Sequence, residues 1–526
     1  MPTETSVGSV APAQAQDPLV LALDVGTSSV RAILYDALGR AVEGAEAHVP
    51  YQMDTTPDGG VEIDARRLLA ITSESIDGLL PNAPGLLDRT CGVACSTFWH
   101  SLMGVSAEGE ALTPLYSWND TRSRDDAAAL AQRRGVDWVH SRTGAVPHAS
   151  YYPAKLLWLR RTKPAVFERV ACWMSFGEYL HLRLFGHTLC SVSMASGTGL
   201  FNPNTCAWEP EMLAESGIEA HQLSPLADDH ESMSGLVDEH AARWPALAQI
   251  PWTPAVGDGA CSNVGSGCVT KKFVSLMVGT SGAMRVCWPA ARVRIPRGLW
   301  CYRANRRYVL LGGALSNAGD VYAWCTHNLR LDPEGPVDPE DPEDPEDLES
   351  KLAALAPDAH GLTVLPFFSG ERSTGWADHA RAAITGMSLG TRPVDILRAA
   401  LESVAYRFAA IYERLREEVP GGATIVASGG GILHSPLWTQ MMADVMGVPV
   451  MASAVPESSS RGAALLALES LGYLADLSSA PMPAGRTYEP DSSLEETYRR
   501  ARKRQEALYD LLIAPGPSVL RSQNDD

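Results

Sequence analysis

Val25-Gly26-Thr27-Ser28 recurs unchanged as Val278-Gly279-Thr280-Ser281, each copy directly after a strand-like apolar run (LVLALD, FVSLM) and directly before another. Strand, short turn and strand read as a hairpin. One such hairpin in each half of the chain predicts a duplicated domain with paired turns. Taken singly, either copy is more often a plain hairpin turn. Length agrees with duplication, because 526 residues exceed what one hydrophobic core serves, so two compact domains are expected.

After the first hairpin, strand-like stretches (RAILYD, AVEGAEAHV, CGVACS) alternate with helix-like ones (ARRLLAITSESIDGLL, SRDDAAALAQRR), an α/β texture. The second half repeats it: the long periodic helix PVDILRAALESVAYRFAAIYERLREEV is followed by the strand TIVAS, a Gly429-Gly430-Gly431 turn and a helix through LWTQMMADVM. The boundary falls near Gly265 to Val269, giving one domain over 18–267 and a second over 268–490. Residues 1–17, Ala/Pro/Gln-rich and without Lys or Arg, read as a loose tail lacking the basic start of a targeting peptide. The Pro/Glu/Asp run 338–347 reads as a solvated acidic loop, and 491–526 as a last helix followed by a disordered tail.

A formal net charge of −19 removes the electrostatic basis of nucleic-acid binding. No apolar run is long enough to cross a bilayer. The ten cysteines lie between Cys91 and Cys325 with no CxxC pair, which suggests neither a disulfide framework nor a zinc site and fits a reducing, cytoplasmic compartment.

Phosphoryl transfer needs backbone donors close to phosphate oxygens, a bridging cation and an aspartate that receives the hydroxyl proton. Gly26 and Gly279 permit close backbone approach, and the hydroxyls of Thr27, Ser28, Thr280 and Ser281 are candidate phosphate donors. Asp24, closing the first strand, is a candidate magnesium ligand, with a turn-capping aspartate as the plainer alternative. Asp258, in the small-residue loop Val256-Gly257-Asp258-Gly259-Ala260, is a candidate base, although a lone GDG is more often structural.

Together these segments resemble a known family. DVGTSSVRAILYD is similar to the first phosphate motif of the FGGY carbohydrate kinases, VGDGACSNVGSG to their catalytic-aspartate loop, and LMVGTSGAMR to their second phosphate motif. SGGGILHSPLWTQMMADVMGVPV with RGAALLAL resembles the adenosine signature, and PFFSGERSTGWADHARAAITGMSLGT the GER segment, so the likeness covers roughly 18 to 490. The resemblance implies an α/β fold of two ribonuclease-H-like, actin/Hsp70-type domains with ATP and Mg²⁺ in the cleft and hinge closure over a sugar. It implies Asp258 as general base and second metal-facing carboxylate, with Asp24, Gly26, Thr27 and Ser28 at phosphates and metal. It implies Gly279, Thr280, Ser281, Gly312, Gly429, Gly430 and Gly431 at the nucleotide.

STFWHSLMGV and SWNDTRS, the latter in the family's W-x-D-x-R arrangement, imply that Trp99, His100, Trp118, Asp120 and Arg122 border the sugar. Without the family, His100 reads as a buried histidine and Asp120 with Arg122 as a structural pair. TGAVPHASYYPAKLLWL keeps the family's Lys155 and Trp158 but has Tyr152 where the common signature has Pro, Ser or Thr. These segments, with RGLWCYR and LLGGALSNAG, resemble the gluconate-kinase branch most, so D-gluconate is the expected substrate, with His100, Arg122, His148 and Lys155 as candidates for its carboxylate. A pentulose (xylulose or ribulose) kinase is the alternative. Glycerol is disfavoured, since that branch carries Arg-Glu at Trp99-His100 and GDQ at Gly257 to Gly259. A non-catalytic ATP-dependent sugar sensor is the alternative of another class; a dinucleotide oxidoreductase lacks its G-x-G-x-x-G fingerprint here. The expected partner is a small sugar or sugar acid, with no nucleic acid and no membrane, and a homodimer stays open.

Overall fold

The computed structural model describes residues 8–331 and 345–513. In the first half, β1 (Ser9–Val10), β2 (Leu19–Val25), β3 (Ser29–Tyr35), β4 (Ala41–Pro50), β5 (Thr90–Thr97) and β6 (Val256–Gly257) form one sheet in the order β1-β4-β3-β2-β5-β6. In the second, β7 (Phe273–Val278), β8 (Gly282–Pro289), β9 (Trp300–Arg303), β10 (Tyr308–Leu315), β11 (Thr424–Ser428), β12 (Val450–Ser453) and β13 (Ala484–Tyr488) form another in the order β9-β10-β8-β7-β11-β12-β13. Ignoring the added edges, both sheets run third-second-first-fourth-fifth: three antiparallel strands, then two parallel to the first. The duplication read from one tetrapeptide extends to the whole topology of both halves.

Each central strand is apolar on both faces because helices cover both. Leu19 to Val25 is buried throughout, as is Tyr308 to Leu315, which is the signature of sheets sandwiched between helical layers. The helix Ala65–Leu79 starts on an Asp64 side chain that accepts the Arg66 and Arg67 N–H groups and buries Leu68, Ile76 and Leu79. The helix Pro393–Leu415 opens with proline in its first turn and buries Leu397, Leu401, Val404, Phe408 and Ile411 on one stripe.

The sequence boundaries need three corrections. Residues 8–17, read as loose, are ordered: β1 pairs in parallel with Ala41–Val42, and Arg89 donates to Asp17 at 2.7 Å and to the Ala15 carbonyl at 2.6 Å. A two-residue edge strand carries no periodicity to read. Of the acidic run, 338–344 lies outside the described residues, as do residues 1–7 and everything after Ile513, and Pro345–Ala353 is a helix rather than the end of a loop. Finally, the helix α1 (Asp258–Gly265) that ends the first half packs on α2 (Ser458–Ser470), which the chain reaches only near the end of the second. The second half therefore returns a helix to the first sheet.

Candidate functional site

β2, β5 and β6 are parallel, and their carboxyl ends meet: Asp24 pairs with Ser96 and Ser96 with Val256. That register puts Asp24, the Trp99-His100 segment and Asp258 at one edge, where α/β sheets hold their ligands. In the second sheet the ends of β7 and β11 coincide, with Met277 paired to Ser428. The Gly279 turn and the Gly429 turn are thereby neighbours.

The two sheet edges face a cavity of about 220 Å³ lined by Asp258, Trp99, His100, Tyr302, Arg285 and Arg372, with Thr27 and Ser281, one from each repeated turn, at its border. A larger cavity of about 410 Å³, lined among others by Asp229, Asn305 and Glu469, holds neither turn nor Asp258. The chemistry gathers in the smaller one.

Asp258 is the first residue of α1, not part of a loop as its small neighbours suggest, and its carboxylate accepts the Gly259 N–H at 2.8 Å. Burial pushes its pKa up, while Arg285 and the N–H groups of Gly259 and Trp99 pull it back. The flanking glycines have a steric cause: a Cβ on Gly259 would meet the Trp99 ring at 2.7 Å, and one on Gly257 would overlap that ring outright. The Trp99 ring packs against the turn from β6 into α1 and fixes the carboxylate's backbone, held by an indole N–H bond to the Ser193 carbonyl at 3.0 Å. Asp24 is nearly fully buried with its pKa raised to about 7, chiefly by burial, against the pull of the Ser96 hydroxyl and with a further push from the charge of Asp258. Two buried carboxylates, one raised in part by the charge of the other, suit a divalent cation between them.

His100 has φ of +64°, a left-handed backbone that costs a non-glycine residue energy. Lys155 Nζ donates to the His100 carbonyl at 3.1 Å and to the Ser150 carbonyl, bracing this turn from behind. The ring Nδ1 bonds the Gly197 carbonyl and so carries the proton; burial, with Arg372 and Lys155 nearby, keeps the imidazole neutral. Its Nε2 is left as an acceptor on the cavity wall. Tyr152, the departure from the common signature, donates to the Ser101 carbonyl and braces the same turn.

Backbone alone shapes the edge around the second repeated turn. Gly429 has φ of +91° and leads into a short helix, Gly430–Leu433. A Cβ on Gly429 would overlap the Val278 carbonyl, one on Gly431 would meet it at 3.0 Å, and one on Gly319 would overlap the Gly279 carbonyl. Three glycine segments thus converge on the second turn, where the Gly319 N–H donates to Gly279 at 2.9 Å. Such a cradle of backbone segments, packed more closely than any side chain would allow, suits a nucleotide phosphate beside it.

Other expected residues lie elsewhere. Gly312 is not at this cradle: it sits on β10 directly opposite Arg285, and a Cβ there would press on the Arg285 side chain at 3.0 Å. Asp120 and Arg122 do not line the cavity; Asp120 accepts the Arg122 Nε–H at 3.1 Å, Arg122 also pairs with Glu62, and its guanidinium stacks 4.8 Å from the Trp158 ring. Lys155 is spent on backbone carbonyls. His148 bonds Asp378 at 2.9 Å, outside the cavity lining. Trp118 does reach the wall, 5.5 Å under the Arg372 guanidinium. Arg285, Tyr302 and Trp300 were not singled out in the sequence, although an arginine inside the apolar strand GAMRVCWP is itself a signal.

Among the described residues one other group has metal-ligand composition, Asp358, His360 and Glu402. His360 Nδ1 accepts the Leu362 N–H, so its Nε2 donates to Glu402, which also takes Arg398 and Tyr406. That is a closed hydrogen-bond network, not a vacant ligand set. All ten cysteines are free thiols.

Residues 19–265 match the model of the FGGY carbohydrate kinase N-terminal domain, and 274–471 that of the C-terminal domain. The chain belongs to the FGGY family of carbohydrate kinases. It is 26% identical to a gluconokinase of Bacillus subtilis over 89% of this chain and 91% of that one, and 30% identical to a glycerol kinase of Polaromonas sp. over 85% and 90%. Among solved structures, a gluconate kinase and a ligand-bound xylulose kinase, both of Lactobacillus acidophilus, each superpose with a TM-score of 0.86 at 26% identity, covering 94% of this chain and 98% of theirs. As an FGGY kinase the chain is a phosphotransferase with an alcohol acceptor on a small sugar. No described helix is long and apolar enough to cross a membrane.

Proposed function

We propose that this FGGY kinase transfers the γ-phosphoryl group of ATP to the terminal hydroxyl of D-gluconate, giving 6-phosphogluconate. The observation that carries the reading is the meeting of Asp258 with Thr27 and Ser281 in one cavity, a carboxylate base between two phosphate turns. The likeness to gluconokinases over nearly the whole chain supports gluconate as acceptor.

Asp258 takes the proton of the attacking hydroxyl on its carboxylate, whose Oδ1 also accepts the Gly259 N–H. His100 Nε2 accepts a second substrate hydroxyl. Trp99 and Tyr302, whose rings stand 5.0 Å apart, wall the acceptor from water. Thr27 and Ser281 donate to phosphate oxygens. Asp24 and Asp258 are the residues that would hold magnesium, which would supply positive charge to offset that of the phosphates.

A pentulose is the second reading, favoured by the equal superposition on the xylulose kinase. ADP release by the purified chain with Mg-ATP and gluconate, xylulose, ribulose or glycerol separates them, with Asp258→Asn as control. Gluconate-selective turnover lost in the variant is expected; ketose-selective turnover overturns the substrate, and ATP binding without sugar-dependent turnover overturns the enzyme.

A further inference from the structure

Arg285 is 7% exposed and lines the cavity, and its side chain makes neither a hydrogen bond nor an ion pair among the described residues; its Nε and Nη1 are buried without acceptors. A buried guanidinium in that state is expensive unless an anion joins it. It does not stand alone. Arg372 Nε and Trp300 Nε1, on residues lining the same cavity, are also buried without acceptors. Arg372 is close enough to Arg285 for like-charge repulsion, and Asp258 is the carboxylate whose charge acts on Arg285. Asp258 pairs with no cation within ion-pair distance among the described residues. The wall therefore holds two cations and a surplus of donors against one carboxylate that the chemistry needs free.

The position of Arg285 is built in. β8 leaves the second phosphate turn at Ser281, and Arg285 follows four residues on; at roughly 3.3 Å per residue its backbone is about 13 Å from the turn. Across the sheet Gly312 occupies the paired position and leaves space for its stem. Its side chain runs back toward the start of α1, where a Cβ on Gly259 would stand 3.3 Å from the guanidinium carbon, so the free donors face the acceptor's part of the cavity.

We propose that Arg285 is the specificity residue that recognises the substrate's carboxylate. This rests on the sugar-acid reading above and replaces Arg122, His148 and Lys155 in that role, since each of those is already engaged. Arg372 and Trp300 complete the donor-rich wall. A guanidinium matched to a carboxylate rejects an isosteric neutral substrate strongly, because the buried donors are otherwise left unpaired.

The test compares kcat/KM for D-gluconate with that for the neutral hexitol of the same chain length in wild type, Arg285→Met and Arg285→Lys, with the melting temperature of each. The gluconate-to-hexitol ratio should fall on the order of 10²-fold in Arg285→Met, mostly through KM for gluconate, and partly recover in Arg285→Lys. The melting temperature of Arg285→Met should not fall, since an unpaired buried charge has been removed. Should Arg285→Met lower both substrates equally through kcat, the arginine serves the transferring phosphoryl group and the inference fails while gluconate kinase activity stands. Should wild type prefer a neutral ketose, the inference falls with the reading it rests on. If Arg285→Met unfolds, equilibrium binding of gluconate against the hexitol to Arg285→Lys decides: an unchanged ratio overturns the assignment.

Discussion

Gly265 and Gly462 sit where α1 and α2 cross, and each occupies space that its partner helix's backbone claims: a Cβ on Gly265 would overlap the Ser458 carbonyl, and one on Gly462 the Cys261 carbonyl. The crossing fastens the returning helix of the second half onto the helix that begins with Asp258. Alanine is the better helix former by roughly 1 kcal/mol, yet Gly462→Ala must push two backbones apart. It should destabilise the chain by about 3 kcal/mol, at the upper end of overpacking costs. Urea unfolding checks it; a midpoint equal to or above wild type would show that the helices can slide apart freely.

Glu371, in the GER segment, is 2% exposed and accepts from Arg407, from the Tyr509 hydroxyl at 2.6 Å and from the Gly375 N–H at 3.2 Å. These bonds hold the segment carrying Arg372 against the helix of Arg407 and the last helix, Glu495–Leu512. Arg407→Met leaves a buried carboxylate without its counter-ion and should cost about 3–5 kcal/mol. The double variant Arg407→Met/Glu371→Gln should recover a clear part of that loss. If single and double variants unfold alike, the pair is not coupled.

The legible parts of this chain were those where local identity carries the information. The repeated Val-Gly-Thr-Ser is one, because a hairpin needs only its own residues. Asp258 is another, since the glycines around it are visible even when Trp99, the ring they accommodate, is far away in the chain. Legibility failed where meaning depends on a distant partner. The resemblance put Asp120 and Arg122 at the pocket, but they form the structural pair their own residue types suggest, and Glu62, sixty residues earlier, joins Arg122 in it. The resemblance puts Gly312 at the nucleotide until β10 is laid beside β8 and Arg285 is seen to need the room.

Lys155 is 1% exposed with its pKa lowered from 10.5 to about 7 by burial. A folded-state pKa below the unfolded one means that the unfolded chain binds more protons between the two values. Stability from this residue therefore rises with pH from about 7 to about 10.5 and is lost as pH falls through the folded value. The slope is at most about 1.4 kcal/mol per pH unit. Lys155→Met should remove that component, so the wild-type-minus-variant difference in unfolding free energy should climb with pH over this window. A flat difference would mean that Lys155 stays charged where it sits.

Asp258→Asn keeps the shape of the α1 start and the packing of Trp99 but cannot take a proton, so kcat should fall by about 10²- to 10⁴-fold, the usual weight of a positioned base. On the proposed reading the nucleotide sits at the glycine cradle of Gly279, Gly319 and Gly429, which the substitution does not touch, and the Kd for ATP measured without acceptor should stay within about threefold. In wild type, burial holds Asp258 above the ordinary carboxylate value of 3.8 and Asp24 at about 7, so kcat/KM should rise with pH along an acid limb well above that of an exposed aspartate. Activity is lost on the acid side because the base must be unprotonated to act. If Asp258→Asn retains full kcat, the proton goes elsewhere, and the cavity carboxylate is left as a metal ligand alone.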